Sequence, residues 1–315
     1  MLVQWYPGHM NKARKMMEKD VKLVDLVIEI VDARCPLASR NPDIDKLSKN
    51  KARLIILNKA DLADKKISME FKAYFEKKGM GVIFVNSKNK EGFKEILPKI
   101  NLLLKDKKER DLKRGIKNQP VRALVCGIPN VGKSTFINAF VGKNIAKTGN
   151  KPGVTKSDQW IKINRELELL DTPGLLWPKF DDQLVGLKLA FIGSINDDIL
   201  VSEELAGFLL NYLYDNYPEL LKERFDIDKE TFKRLNENKD KSSSESENGD
   251  LISEGDREDE PWELVTKESL MLEKIALKRG ALKKGGEPDI HKASLLLIED
   301  FRNSKIGRIS LEKPL

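Results

Sequence analysis

Residues 127–135 read Gly-Ile-Pro-Asn-Val-Gly-Lys-Ser-Thr and match the pattern G-x-x-x-x-G-K-[ST] at every fixed position. In a loop of this kind, backbone N–H groups surround the α- and β-phosphates of a nucleotide. Lys133 is expected to meet the β- and γ-phosphates, and the Ser134 hydroxyl to bind Mg²⁺. The pattern predicts a nucleotide site, with a structural glycine-rich turn as the alternative. The loop residues expected to contact the nucleotide are Asn130, Val131, Gly132, Lys133, Ser134 and Thr135.

A second motif, Asn58-Lys59-Ala60-Asp61, follows the apolar run 53–57. The sequence N-K-x-D reads guanine in GTPases. The Asp61 carboxylate can accept hydrogen bonds from guanine N1–H and from the N2 amine, whereas adenine does not offer this donor pattern. Lys59 can lie over the nucleotide, and Asn58 can tie this loop to the phosphate-binding loop. The motif therefore favours GTP over the ATP of a P-loop kinase or ATPase, although four residues alone also fit a plain turn.

Two segments downstream of the phosphate-binding loop could respond to the γ-phosphate. Thr155 ends the run Lys-Pro-Gly-Val-Thr, and Asp171-Thr-Pro-Gly174 follows a predicted strand. Mg²⁺ would be held by Ser134, Thr155 and Asp171, while the Gly174 N–H would bond the γ-phosphate. Loss of the γ-phosphate would release both segments, which is an order-to-disorder switch.

The order of these motifs is that of a circular permutation. In an ordinary GTPase the phosphate-binding loop comes first, whereas here Asn58–Asp61 precedes it. A less specific element, Asn86 and Ser87, also precedes it, and its backbone could meet the base from the other side. All of these loops can still lie at one edge of a parallel sheet, because ligand-binding loops leave the carboxyl ends of the strands whatever the chain order.

The predicted fold class is α/β: a circularly permuted P-loop GTPase domain with a mostly parallel sheet and helices on both faces, followed by a smaller all-helical domain. We place the first domain at residues 1–180, with a charged connector at 105–118, and the helical domain at 181–315. Hydrophobic periodicity predicts strands at 25–33, 53–57, 81–85, 121–126, 159–163 and 166–170, and helices at 11–24, 68–78, 93–104, 183–192, 202–214, 266–279 and 289–303.

Composition excludes several other classes of protein. A chain of 315 residues that is 40% hydrophobic allows two domains with cores of their own. Two cysteines and two histidines support neither a disulfide scaffold nor a Cys/His zinc site. The N-terminus lacks the layout of a signal peptide, and no apolar run approaches the ~18 residues of a membrane helix. We therefore expect a cytoplasmic protein that does not associate with a membrane.

The formal net charge of +7 is unevenly distributed. Residues 236–260 hold ten acids and three bases, which is −7, so the rest of the chain carries +14. This Ser-, Asp- and Glu-rich segment is expected to be disordered. The basic remainder favours an RNA partner recognised by shape and phosphates, with a merely solvated basic surface as the alternative. The expected RNA contacts are Lys12, Arg14 and Lys15 in the first helix, and Lys283, Lys284, Arg302, Lys305 and Arg308 near the end of the chain.

Outside residues 236–260, the chain resembles the circularly permuted ribosome biogenesis GTPase A family of bacteria and organelles. Besides the motifs above, the resemblance rests on Trp-Tyr-Pro-Gly-His-Met at 5–10, Asp-Ala-Arg at 32–34, and Gly-Gly-Glu-Pro-Asp at 285–289. It implies a GTPase that binds the immature large ribosomal subunit, is stimulated by it, and is released on hydrolysis. The implied partners are GTP or GDP, the large-subunit precursor and its rRNA, and the chain is expected to be a monomer.

Hydrolysis needs a residue that orients the attacking water. Many GTPases use a glutamine just after D-x-x-G, where this chain has Leu175, which has no hydrogen-bonding group. His9 is the candidate catalytic residue. The permutation cuts the usual chain order just after the D-T-P-G segment and brings the N-terminus near that point, and a neutral imidazole can orient water. The family resemblance points to the same residue, and capping of the first helix is its alternative role. Leu175 also keeps open a nucleotide-gated RNA-binding module whose hydrolysis is incidental.

Asn130 is a second special position of the phosphate-binding loop. GTPases with asparagine here commonly use K⁺, whose charge near the β- and γ-phosphates replaces an arginine finger. Mg²⁺ and K⁺ are therefore the expected cofactors. A loop-stabilising amide is the alternative role of Asn130.

Overall fold

One six-stranded sheet forms the centre of the computed structural model, which describes residues 9–116, 119–143, 159–174, 176, 182–197, 200–228 and 267–314. The strand order is β3-β2-β1-β4-β6-β5, and only β5 runs antiparallel to its neighbour within this described sheet. The predicted α/β class is confirmed. The strands are β1 Leu26–Asp32, β2 Ala52–Asn58, β3 Gly81–Val85, β4 Val121–Cys126, β5 Gln159–Lys162 and β6 Leu167–Asp171.

Helices flank the sheet and build the C-terminal part of the chain. No helix in the described ranges is long and apolar enough to span a bilayer. Short 3₁₀ turns cover Val21–Leu23 and Phe93–Glu95. The helices are α1 His9–Asp20, α2 Pro42–Leu47, α3 Lys65–Lys77, α4 Ile96–Leu103, α5 Lys105–Lys113, α6 Lys133–Val141, α7 Gln183–Phe191, α8 Ser202–Asn216, α9 Pro218–Phe225, α10 Lys267–Arg279 and α11 Ile290–Arg302.

Strand β1 lies between β2 and β4, and all seven of its residues are buried. Burial on both faces explains its nearly continuous apolar sequence. Its interior acid, Glu29, is matched by Arg40 at 3.1 Å and Arg53 at 2.6 Å. The register places Asp32 beside Asn58, so the carboxyl ends of β1 and β2 meet at the same edge of the sheet.

Helix α3 packs on the sheet through one apolar face. The Asp64 side chain caps its first turn by accepting from the backbone N–H groups of Lys66 and Ile67. Ile67, Phe71 and Phe75 recur every four residues, and all three belong to the buried cluster that includes sheet residues of β1 and β2. Burial of each large side chain stabilises the fold by roughly 1.5–3 kcal/mol. The cap also fixes the end of the loop that follows β2.

The chain divides into two compact units, residues 1–200 with 308–315, and residues 201–307. The division lies later than the boundary that we placed at 180/181, and the last residues return to the first unit. Hydrogen bonds explain the later division. The Asn130 side chain donates to the Gly193 carbonyl at 2.6 Å, and the Ser194 hydroxyl donates to the Pro129 carbonyl at 2.8 Å. These bonds hold the segment after α7 to the phosphate-binding loop.

Other elements also differ from the sequence predictions. The charged connector at 105–118 contains α5, a helix without a buried residue. The helix predicted at 93–104 is divided into a 3₁₀ turn and α4, which begins at Ile96, so Pro98 lies in the first turn of α4, where no N–H is needed. We did not predict α2 and α9, two short helices that begin with proline. The segment 236–260 lies outside the described residues.

Of the described helices, α8 to α11 lie in the second unit. In α11 the apolar residues Ala293, Leu297 and Phe301 recur every four residues and are buried. The buried Asp300 carboxylate accepts from the Arg224 guanidinium at 3.0 and 2.7 Å, which joins α11 to α9. The unit therefore combines an apolar core with a charged pair at its margin.

Candidate functional site

The phosphate-binding loop runs from β4 to α6 and needs glycine at two positions. Gly132 has φ +94°, and a Cβ there would lie 2.4 Å from Asn58 Nδ2. A Cβ on Gly127 would lie 2.7 Å from the Ile30 carbonyl oxygen. Only glycine tolerates both the backbone conformation of Gly132 and these close approaches. Helix α6 starts directly after the loop, so it adds N-terminal N–H groups and the positive end of its dipole, which favour a phosphate.

Lys133 and Asp171 form a buried ion pair beside this loop. Their side chains are 6% and 3% exposed, and Lys133 Nζ contacts Asp171 Oδ1. Lys133 begins α6 and Asp171 ends β6, so the pair joins the phosphate-binding loop to the D-T-P-G segment. The Ser134 hydroxyl and the Asp171 carboxylate are oxygen donors of the kind that Mg²⁺ prefers, so these residues fit that ion. Thr155, the third predicted ligand, lies outside the described residues.

Asn58 connects three loops through its side-chain amide. Its Nδ2 donates to the Val131 carbonyl at 2.8 Å. Its Oδ1 accepts from the Ser87 N–H at 3.2 Å and from the Ser87 hydroxyl at 2.8 Å. The side chain is buried, so each of these bonds satisfies a polar group that water cannot reach. The loops after β2 and β3 are thereby held to the phosphate-binding loop.

Lys59 forms a second connection between the same loops. Its Nζ donates to the Asn130 carbonyl at 2.9 Å and lies 3.0 Å from Asp32 Oδ2. Both Lys59 and Asn130 have positive φ, +56° and +62°, a conformation that is uncommon outside glycine. Asp32 is fully buried and also pairs with the Arg34 guanidinium at 2.8 Å. One carboxylate thus fixes two cations, one of which belongs to the N-K-x-D motif.

The charges of this cluster depend on one another. Burial raises the pKa of Asp32, but Arg34 and Lys59 outweigh burial and hold that pKa well below its usual range. Burial lowers the pKa of Arg34, and the Asp32 carboxylate more than offsets it, so the Arg34 pKa is raised. For Lys59, burial outweighs the attraction of Asp32, and its pKa is lowered. Asp32 therefore stays ionised in the folded chain at neutral pH.

The remaining residues of the predicted base site lie in the loops after β2 and β3. Asp61 is half-buried within a turn that the Leu62 N–H closes by donating to the Lys59 carbonyl at 2.9 Å. Asn86 is buried, and its Oδ1 accepts from the backbone N–H groups of Lys88 and Asn89 at 3.1 and 3.2 Å. The Asn86 side chain therefore shapes its own loop.

The D-T-P-G segment starts along the phosphate-binding loop. The Thr172 hydroxyl donates to the Val125 carbonyl at 3.0 Å. A Cβ on Gly174 would lie 3.2 Å from the Pro129 backbone nitrogen. Gly174 is thus placed within reach of the loop that is predicted to hold the phosphates.

Several predicted residues cannot be placed. The His9 backbone begins α1, but its side chain lies outside the described residues, as do the side chains of Lys12 and Arg14. Leu175 also lies outside them. Lys15 is exposed on α1, and Thr135 is exposed on the first turn of α6.

The basic residues near the end of the chain fall into different units. Lys283 and Lys284 are exposed beside a turn in which Gly285 and Gly286 have φ +106° and +88°. Lys305 is exposed and lies 3.5 Å from Glu299. The structure places four of the predicted contacts in the second unit and one in the first. The four are Lys283, Lys284, Arg302, which is half-buried, and Lys305, whereas Arg308 belongs to the first unit.

The described part of the chain offers neither a cluster of metal-binding side chains nor a reactive thiol. That part contains no group of three or more His, Cys, Asp or Glu residues able to hold a metal ion. Burial raises the pKa of both thiols, Cys35 and Cys126, so neither is a reactive thiolate at neutral pH.

Sequence reasoning missed three contributors to the site. Only the family resemblance pointed to Asp32 and Arg34, although an acid at the end of a buried strand could have indicated their role. The Gly193–Ser194 turn carries no motif that would connect it with the phosphate-binding loop. Glu312, in the last residues, contacts the loop after β1, and nothing in its local sequence predicts this.

Comparisons with known proteins agree with this geometry. Residues 122–242 match a family model described as 50S ribosome-binding GTPase. The chain is 44% identical over 314 residues to ribosome biogenesis GTPase A of Bacillus licheniformis, with 100% of this chain and 99% of the relative covered. It is 30% identical over 312 residues to ribosome biogenesis GTPase A of Thermotoga maritima, with 99% of this chain and 95% of the relative covered.

Solved structures give the same result. The GDP-bound structure of TM YlqF has a TM-score of 0.61 and 26% identity, with 95% of this chain and 99% of that chain covered. The GNP-bound YlqF from T. maritima has a TM-score of 0.59 and 27% identity, with 96% and 98% covered. The circularly permuted resemblance inferred from the motifs is thereby confirmed, and guanine nucleotides are bound by both of these similar proteins.

Proposed function

Since this chain belongs to the ribosome biogenesis GTPase A family, we propose that it acts at a late step of large-subunit assembly. It is a GTP-hydrolysing P-loop enzyme of ribosome biogenesis. In the proposed cycle the GTP-bound chain binds the immature large subunit, the subunit stimulates hydrolysis, and hydrolysis drives release. The description 50S ribosome-binding GTPase supports the choice of the large subunit. We further propose that it works in the cytoplasm as a monomer.

Asn58 is the observation that carries the nucleotide assignment, because it bonds to both Val131 and Ser87. A nucleotide whose base is held by the loops after β2 and β3 would then have its phosphates at the start of α6. In this assignment Asp61 accepts from guanine N1–H and N2, and Ser87 and Asn86 shape the opposite wall. Asp61→Asn should shift preference from guanine toward xanthine nucleotides, which competition binding of GDP and XDP measures. Unchanged GDP selectivity would remove Asp61 from the base site.

Lys133 and Asp171 provide the charge for phosphoryl transfer. We assign Lys133 to the β- and γ-phosphates, and Ser134, Thr155 and Asp171 to Mg²⁺. When bound, Mg²⁺ supplies positive charge against the oxygens of the β- and γ-phosphates. The Gly174 N–H is assigned to the γ-phosphate, because this glycine lies against Pro129 of the phosphate-binding loop. The conformations of the segments that contain Thr155 and Gly174 would then depend on whether the γ-phosphate is present.

His9 is proposed to orient the attacking water, because Leu175 has no group that could do so. His9→Ala should leave GTP affinity nearly unchanged and lower turnover on the large subunit. Equal turnover of the variant and the wild type would exclude His9 from the reaction.

K⁺ is the proposed second cofactor, held beside Asn130. The Asn130 Nδ2 bond to Gly193 fixes the amide in the phosphate-binding loop, and amide oxygens are suitable ligands for such a cation.

RNA contact is assigned to Lys12, Arg14, Lys15, Lys283, Lys284, Arg302, Lys305 and Arg308 through phosphates and shape.

One experiment tests the core of the proposal: GTP hydrolysis with and without large subunits, each in K⁺ and in Na⁺ buffer. We expect the highest rate with subunits in K⁺. Equal rates in the two salts would exclude K⁺. Subunit-independent turnover would favour the second candidate, a nucleotide-gated RNA-binding module with incidental hydrolysis, for which Leu175 is the supporting observation.

A further inference from the structure

The last residues of the chain form a strap, Ile309–Glu312, that returns to the first unit after the helical unit. Ile309, Ser310 and Leu311 are 1%, 0% and 3% exposed. The Glu312 side chain is 7% exposed. A disordered segment would not bury three consecutive residues together with the side chain of a fourth. The strap is therefore part of the folded nucleotide-binding unit.

One end of the strap bonds to the loop that contains Asp61. The Ile309 N–H donates to the Leu62 carbonyl at 3.0 Å. The Ser310 hydroxyl accepts from the Asp64 N–H at 3.2 Å. These two bonds hold the backbone on the C-terminal side of Asp61, one and three residues away.

The other end bonds to the loop after β1. The Leu311 N–H donates to the Arg34 carbonyl at 2.6 Å. Glu312 Oε1 accepts from the N–H groups of Leu37 and Ala38, and Glu312 Oε2 lies 3.1 Å from Lys188 Nζ. A carboxylate that accepts from backbone N–H groups makes charge-assisted bonds, which are stronger than neutral ones.

The residues that the two ends of the strap contact are connected to each other through the N-K-x-D motif. Arg34, whose carbonyl the strap holds, pairs with Asp32, and Asp32 pairs with Lys59. Lys59 and Leu62 are the two residues whose backbones close the turn around Asp61. The strap therefore supports this turn directly through Leu62 and indirectly through Arg34 and Asp32.

We propose that the strap is a specificity-determining element of the guanine site, in which Ser310 and Glu312 are positioning residues for Asp61. The inference rests on the proposed role of Asp61 in reading guanine. Hydrogen bonds weaken steeply when donor and acceptor move out of line, so a shifted turn loses the bonds to N1–H and N2. The phosphates are bound by another part of the chain, at 127–135. Loss of the strap should therefore reduce base discrimination more than phosphate binding.

The experiment compares binding of GDP and IDP, which lacks the N2 amine, to the full-length chain by calorimetry. The strap variants are Ser310→Ala, Glu312→Ala and Glu312→Gln, and the matched control is Glu299→Ala, an exposed acid of the second unit. Glu312→Ala should weaken GDP binding by about fivefold, as expected for loss of buried bonds, and lower the GDP-to-IDP preference by about threefold. Glu312→Gln keeps an acceptor oxygen and should retain most of the preference.

The ratio of GDP affinity to IDP affinity also distinguishes a role of the strap in positioning Asp61 from a general loss of fold stability. A smaller folded fraction weakens both nucleotides by the same factor and leaves their ratio unchanged. A ratio within twofold of the wild type in both Ser310→Ala and Glu312→Ala would overturn the proposal, whatever the change in stability. The Asp61→Asn result is independent of these variants: failure of that variant to shift selectivity overturns the assignment of Asp61, whereas failure of the strap variants overturns only the role of the strap.

Discussion

Asp32 determines the electrostatics beside the N-K-x-D motif at residues 58–61. It is 0% exposed and serves two cations, Arg34 and Lys59. Replacement by asparagine leaves the buried Arg34 guanidinium without a counter-charge, which costs about 3–5 kcal/mol in comparable pairs. We expect Asp32→Asn to lower the free energy of unfolding by roughly 3 kcal/mol in denaturant titrations. Asp111→Asn, which breaks a half-buried pair with Lys107 on α5, is the control and should change stability much less, because neither side chain of that pair is fully desolvated.

The lowered pKa of Asp32 also makes the free energy of unfolding depend on pH. The pKa of folded Asp32 is below that of the unfolded chain, which is about 3.9. Its stabilising contribution is therefore complete above the unfolded pKa and is lost as the pH falls through the folded pKa. The difference in unfolding free energy between wild type and Asp32→Asn should be constant at neutral pH and shrink below about pH 4. A difference that instead grows on acidification would contradict a lowered pKa.

At the scale of elements, the two ends of α6 differ in what a side chain would meet. Gly132 and Gly142 both have positive φ, +94° and +77°. A Cβ added at Gly132 would lie 2.4 Å from Asn58 Nδ2, whereas a Cβ added at Gly142 would have no atom within 4 Å. Gly132→Ala should lower GDP affinity at least tenfold, because Asn58 must move and its bonds to neighbouring loops are lost. Gly142→Ala carries only the backbone strain, about 1–2 kcal/mol of stability, and should keep the affinity. Calorimetry and thermal unfolding of the two variants separate these effects.

Elements with a periodic or local signal could be predicted from the sequence, and contacts between distant segments could not. Strand β1 was predictable because burial on both faces forces a continuous apolar run, and the parallel sheet then brings Asn58 and Asp171 to one edge. The bond of Asp64 to Ser310 joins residues 246 positions apart and leaves no periodic trace. The pairing of Asp32 with Lys59 also follows from packing, although the motifs themselves could be recognised.

At the scale of the whole molecule, charge should govern RNA affinity. The basic pair Lys283 and Lys284 is exposed beside a glycine turn in the second unit. Replacing both with alanine should weaken binding to large subunits and reduce the slope of log affinity against log salt by roughly 1.5–2. GTP affinity should not change. The double variant Lys113→Ala/Arg114→Ala on the exposed end of α5 removes equal charge, and an equal loss of affinity there would argue against a defined RNA surface in the second unit.

The return of residues 308–315 to the first unit also has a consequence for biosynthesis. Translation proceeds from the N-terminus, and domains generally fold in the order in which they emerge. Here the nucleotide-binding unit cannot complete its contacts at Arg34, Leu62 and Asp64 until residues 309–311 have left the ribosome that makes them. A nascent chain carries all the nucleotide motifs well before it carries the strap. We therefore expect a nascent chain to become fully selective for guanine only after the strap has emerged from the ribosome.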